Sequence, residues 1–214
     1  MYGKLVASYR LLFGLLTLGV FVERLFAGAD LGRLLSFFTI QSNVIGGAVL
    51  VWGAVAILRG REESRGLSSL RGAAATYLIT TGVVVVVLLS DVDPAGLDTP
   101  GYVDVVMHKI LPVVMLIDWL IVPPANRLGV TDAATWLIYP LAYAAYTLIR
   151  GPFADWYPYP FIDPREKGYG HVAVMCAGIT VWFVALAAAL VRIGNLLRNR
   201  APRTGRPLPT SPGR

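Results

Sequence analysis

Apolar residues run almost unbroken through six stretches of this chain, at about 5–26, 37–58, 70–90, 104–123, 134–150 and 170–194. Polar and charged residues gather between them. A hydrocarbon core about 30 Å thick takes about 20 apolar residues as helix, and each stretch approaches that length, the fifth being the shortest. Only helices and closed barrels satisfy their backbone groups in lipid, and continuous apolar runs exclude the in–out alternation of a barrel. The pattern predicts an all-α fold: a six-transmembrane-helix bundle over residues 1–195. Residues 196–214, which end in "RNRAPRTGRPLPTSPGR", are rich in Pro, Arg and small polar residues. They cannot bury a core and are predicted to form a disordered basic cytoplasmic tail.

Composition agrees. Of the 214 residues, 56% are hydrophobic and 15% charged, against about 25% charged in soluble domains. The net charge of +6 raises the question of nucleic acid. The basic residues, however, lie in short loops and a tail beside apolar runs, where they serve topology and contact with anionic lipid. No nucleic-acid partner is expected. With the N-terminus inside, 13 of the 19 Lys and Arg residues fall on the cytoplasmic side, so both termini are predicted to be cytoplasmic. A cleaved leader ending at "AGA" (27–29) is disfavoured, because Glu23 and Arg24 intervene. Cys176 is the one cysteine, which excludes a disulfide framework or a cysteine metal site.

Against this apolar background, "FFTIQSNVIGG" (37–47) places Thr39, Gln41, Ser42 and Asn43 at the mouth of the second span. Ser42 and Asn43 follow Thr39 by three and four residues and share its helical face. His108 stands a few residues into the fourth span, which runs in the same direction, so Thr39 and His108 are expected at similar depth. Arg150 ends the fifth span and His171 opens the sixth in the same layer, beside the aromatics of "GPFADWYPYPFIDP" (151–164). Pro112 leaves the carbonyl of His108 without its helical donor. Asp118 lies deeper, and an intramembrane carboxylate is a candidate functional group by default. Each residue also has a plainer role: Thr39 as a helix cap, 41–43 as glue between helices, the histidines as satisfied interfacial groups, Asp118 as the partner of an arginine or of a neighbouring helix, the aromatics as an interface belt. Hydrolase elbows, zinc-protease motifs, P-loops and dinucleotide fingerprints are absent from the sequence.

The ordered segments "FFTIQSN", "MHKILPVVMLIDW" and "WYPYPFID" on six spans resemble the androgen-induced and androgen-dependent TFPI-regulating proteins, most nearly their bacterial branch of six-pass membrane proteins. The resemblance covers roughly residues 1–195. Animal members are threonine hydrolases that cleave fatty acid esters of hydroxy fatty acids. The resemblance implies Thr39 as nucleophile and His108 as general base, in a multi-pass protein of the bacterial cell membrane with a lipid ester substrate, membrane lipids around it, and neither cofactor nor metal. Two departures stand out: Leu111-Pro112 follows His108 more tightly than in animal members, and the residues after Thr39 differ.

A threonine hydroxyl needs a base to take its proton as it attacks, and histidine suits that task at neutral pH. Ser42, Asn43 or Arg150 are the expected oxyanion donors, with His171 and Asp118 as further substrate candidates. Ten residues of helix, about 15 Å, separate Asp118 from His108, too far for it to orient the imidazole. Competing readings are a lipid-binding or transport protein without catalysis, using Arg24, Arg150 and Asp118, and a haem protein with His108 and His171 as axial ligands.

Overall fold

The computed structural model of the protein describes residues 1–90 and 100–200. Every regular element among them is helical. In chain order these are α1 (Tyr2–Phe26), α2 (Leu31–Leu34), α3 (Phe38–Leu58), α4 (Arg65–Leu88), α5 (Gly101–Asp104), a π-helical turn (Val105–Ile110), α6 (Leu111–Ile121), α7 (Val130–Trp136), α8 (Ile138–Ala154), a 3-10 turn (Pro160–Ile162) and α9 (Pro164–Arg200). Four of these, α1, α3, α4 and α9, are long and apolar enough to cross a membrane. They present Leu12, Trp52, Val86 and Val181 outward, as an integral membrane protein presents them to lipid.

The stretches expected to be the fourth and fifth spans are interrupted, and proline explains both breaks. Pro112 has no N–H to give the His108 carbonyl, and its ring crowds that carbonyl. The backbone widens just before it into the π turn, where Leu111 N–H reaches the carbonyl of Val106. Pro140 likewise leaves the Trp136 carbonyl without a helical donor at the junction of α7 and α8. The hydroxyl of Tyr77, on α4, donates to that carbonyl at 2.8 Å instead.

Close approach of the helices depends on small residues. A Cβ on Gly14 of α1 would stand 2.9 Å from the Gly47 carbonyl of α3, and one on Gly47 would stand 3.1 Å from the Gly14 carbonyl. The two glycines face each other across the α1–α3 crossing. Around α4, Leu78, Leu111, Met115 and Trp119 are fully buried.

At the end of the bundle away from Thr39, four charges meet, three of them buried and Glu63 part-buried. Arg10 of α1 grips Asp118 of α6 through Nε at 2.6 Å and Nη2 at 3.1 Å. Arg71 of α4 donates to Glu63 at 2.8 Å and to the Val122 carbonyl at 2.6 Å, with its Nε 3.5 Å from Asp118. The Ser68 hydroxyl donates to the other oxygen of Glu63. Two cations and two carboxylates close on one another, so Asp118 belongs to an ionic tie between helices rather than to the Thr39 layer. Of the two roles the sequence leaves open for Asp118, functional group or partner of an arginine, the structure shows the second. α9 runs on to Arg200, past the boundary expected at 195; the remainder of the expected tail, 201–214, lies outside the described residues.

Candidate functional site

An apolar cavity opens between α3, α4, α8, α9 and the 155–163 loop. Its empty space, counted out to and including its open mouth, is about 840 Å³. Thr39, Thr81, Val84, Tyr143, Tyr159 and Phe183 are among its lining residues. Most hydroxyls on its wall are spent locally: Thr81 donates to the Leu78 carbonyl, Thr180 to Cys176 and Tyr143 to Ser36.

Thr39 is the exception. Phe37 is extended and caps α3 without a side-chain hydrogen bond, so the first-turn amides of the helix have no partner within it. The phenol oxygen of Tyr159 accepts the Thr39 N–H at 3.2 Å and lies 3.3 Å from Thr39 Oγ1. Thr39 is 6% exposed and Tyr159 8%, so the pair sits in a dry setting at the positive end of a helix dipole. Burial pushes the Tyr159 phenol above its usual range; the group is a neutral donor at pH 7, not a base. Phe37 packs edge-on against both Tyr159 and Trp156, each at 5.6 Å between ring centroids.

Asn43 stands one turn below Thr39 and joins two elements. Its Nδ2 donates to the Thr39 carbonyl at 2.8 Å and to the Met107 carbonyl at 3.2 Å. That brace ties the start of α3 to the π turn carrying His108. It also commits the amide donors, so Asn43 is not placed to donate to an oxyanion, contrary to the sequence expectation. The Asn43 Oδ1 and the Ser42 hydroxyl are buried without partners among the described residues.

His108 is part-buried, and its Nδ1 lies 2.8 Å from Asp104 Oδ1, one helical turn earlier. Asp104 also meets Lys109 at 3.3 Å. Among the described residues no hydrogen bond joins His108 to Thr39, and His108 is not part of the cavity wall. The backbone of His108 does touch the site's frame: a Cβ on Gly82 would lie 3.3 Å from its carbonyl.

Arg150 lies over the ring of Trp156, its guanidinium carbon 5.7 Å from the centroid, and does not line the cavity. It is therefore not an oxyanion donor beside Thr39. His171 lies just after the kink of α9 at Gly168, makes no hydrogen bond among the described residues, and does not line the cavity. Thr39, Ser42 and Asn43 are thus brought together, His108 is linked to them through Asn43, and Arg150, His171 and Asp118 stand apart.

Two residues here escaped the sequence reading. Asp104 had a signal, the i, i+4 spacing to His108. Tyr159 had none beyond membership of an aromatic loop.

Comparison with protein-family models, curated proteins and solved structures finds no match to this chain.

Proposed function

We propose that this protein is a six-pass membrane hydrolase of lipid esters, with both termini cytoplasmic, the interrupted α5–α6 and α7–α8 segments as its fourth and fifth crossings, and a site opening to the outer side. The observation that carries the proposal is the Thr39 hydroxyl. It is buried, stands on the wall of an apolar cavity at a helix start, and is held by a neutral phenol. The resemblance of the Thr39 and His108 segments to the threonine hydrolases related to androgen-induced proteins supports the same reading.

The acyl chain of the substrate lies in the cavity with its ester carbonyl at Thr39. Thr39 Oγ1 attacks the carbonyl carbon as His108 Nε2 takes the hydroxyl proton. Asp104, on Nδ1, fixes the tautomer that leaves Nε2 as the acceptor. The two groups are apart in the free protein, and the substrate must close that gap, as catalytic contacts often tighten only in the complex. First-turn amides of α3 and the Tyr159 hydroxyl meet the oxyanion. Collapse breaks the bond to the alcohol, which leaves with the proton from His108. Water then attacks the acyl-threonine, giving its proton to His108, and the acid departs as Thr39 regains its hydrogen.

A lipid-directed fluorophosphonate tests this reading. The adduct, located by mass spectrometry on the purified protein, is expected on Thr39. Labelling that survives Thr39→Ala removes Thr39 from the role of nucleophile. A second reading, lipid binding without catalysis, draws on the absence of His108 from the cavity wall. It predicts that wild-type protein binds acyl chains and turns over no ester.

A further inference from the structure

At the same end of the bundle as Thr39, two guanidinium groups converge on one indole. Arg33 of α2 lies 5.2 Å from the Trp156 ring centroid and Arg150 of α8 lies 5.7 Å from it. Among the described residues neither has a carboxylate partner, although acids are close in sequence. Asp30 accepts the Arg33 backbone N–H; Asp155 and Asp163 are both bound to Arg165; Glu23 takes the Tyr102 hydroxyl. Among the described residues the nearby carboxylates are committed, which leaves two positive charges on one aromatic platform.

Their position gives that charge a direction. Trp156 packs on Phe37, Phe37 packs on Tyr159, and the Tyr159 hydroxyl meets Thr39, so two rings link the platform to the Thr39 hydroxyl. Along α8, Arg150 follows Tyr143 of the cavity wall by seven residues, two turns on the same face. An amphiphile whose chain fills the cavity therefore carries its head toward Trp156. Arginine at an outer interface also runs against the inward bias of basic residues, and a fork of N–H donors suits carboxylate or phosphate oxygens.

We propose that Arg33, Trp156 and Arg150 form a binding site for the anionic group, phosphate or carboxylate, of a single lipid whose acyl chain occupies the cavity. This rests on the cavity reading of the proposed function for the chain's location, and it adds the class of lipid selected.

The test reads binding, so it stands whether or not any ester is turned over. Full-length protein in neutral detergent is titrated with lysophosphatidylglycerol, oleate, lysophosphatidylcholine and inorganic phosphate, following thermal stability. The two anionic lipids are expected to bind about tenfold more tightly than the choline lipid, and inorganic phosphate is expected to give no shift. Arg33→Gln with Arg150→Gln should bring the anionic and choline lipids to parity. Equal binding of anionic and zwitterionic lipids by the wild-type protein overturns the proposal, without need of any variant. So does a preference that survives the double substitution. A shift with inorganic phosphate alone overturns the lipid assignment and marks a free-anion site. Failure of hydrolysis alongside a retained anionic preference sinks the proposed function and leaves this site standing.

Discussion

Tyr159 meets Thr39 twice, accepting its amide N–H at 3.2 Å and lying 3.3 Å from its hydroxyl oxygen. The phenol thus acts as a helix cap supplied from a distant loop and, among the described residues, as the one side-chain hydroxyl in contact with the proposed nucleophile. Tyr159→Phe removes both contacts and keeps the ring packing against Phe37 and Phe161. Loss of a cap costs about 1 kcal/mol, visible as a lower unfolding temperature in detergent. Loss of an oxyanion donor lowers kcat by about 10²-fold. A variant that is less stable yet turns over ester at the wild-type rate confines Tyr159 to capping.

The Asp104–His108 pair sets a ranking among variants. His108→Ala removes the proposed general base and should reduce kcat/KM by about 10²–10⁴-fold. Asp104→Asn keeps a polar partner but removes the carboxylate that fixes the ring, so its loss should be smaller, with KM unchanged. Ester turnover by both variants, beside thermal unfolding to confirm equal folding, makes the comparison. Equal activity of Asp104→Asn and wild type would detach Asp104 from the chemistry.

Much of the helical frame was legible in the sequence because apolar runs of sufficient length leave few alternatives: α1, α3, α4 and α9 fall where the hydropathy puts them. Pro112 and Pro140 were equally visible, but the response to each was not. The π turn and the Tyr77 bond to Trp136 depend on which helices stand beside the breaks. Asp118 shows the same limit. Its partner Arg10 lies 108 residues away, and no local spacing announces that pairing. Ser42 and Asn43 could be grouped with Thr39 from periodicity alone, whereas Tyr159 arrives through a loop fold that periodicity does not describe.

The Arg10–Asp118 pair should be expensive to break and cheap to replace. Both side chains are 1% exposed. Asp118→Asn leaves Arg10 and Arg71 to share Glu63 alone, at 3.9 Å and 2.8 Å, a change worth about 3–5 kcal/mol. Substituting both, as Arg10→Met with Asp118→Leu, removes the charge along with its partner and should recover most of that loss. Arg71 and Glu63 remain to neutralise each other. Thermal unfolding of Arg10→Met, Asp118→Leu and the double variant in detergent gives the coupling. Additive losses would show that the pair is not a unit.

The loop that delivers Tyr159 is fixed by Arg165, and that anchor carries a pH signature. Arg165 binds Asp163 through Nε and Nη2, reaches the carbonyl and carboxylate of Asp155, and lies over the ring of Tyr157. Hydrogen bonding from Arg165 holds the Asp163 carboxyl below its usual range, against about 3.9 in an unfolded chain. A depressed folded value means that the unfolded chain takes up the proton first as pH falls. The stabilisation is therefore complete above the unfolded value and disappears as pH drops through the folded one. Arg165→Gln should unfold at a lower temperature than wild type by a constant margin from pH 7 down to about 5. Below about pH 4 that margin should narrow, leaving the part due to stacking on Tyr157 and bonding to the Asp155 carbonyl. A margin independent of pH down to about 2 would assign the anchor to stacking and backbone contacts alone. The loop would then hold Tyr159 against Thr39 without help from the carboxylate.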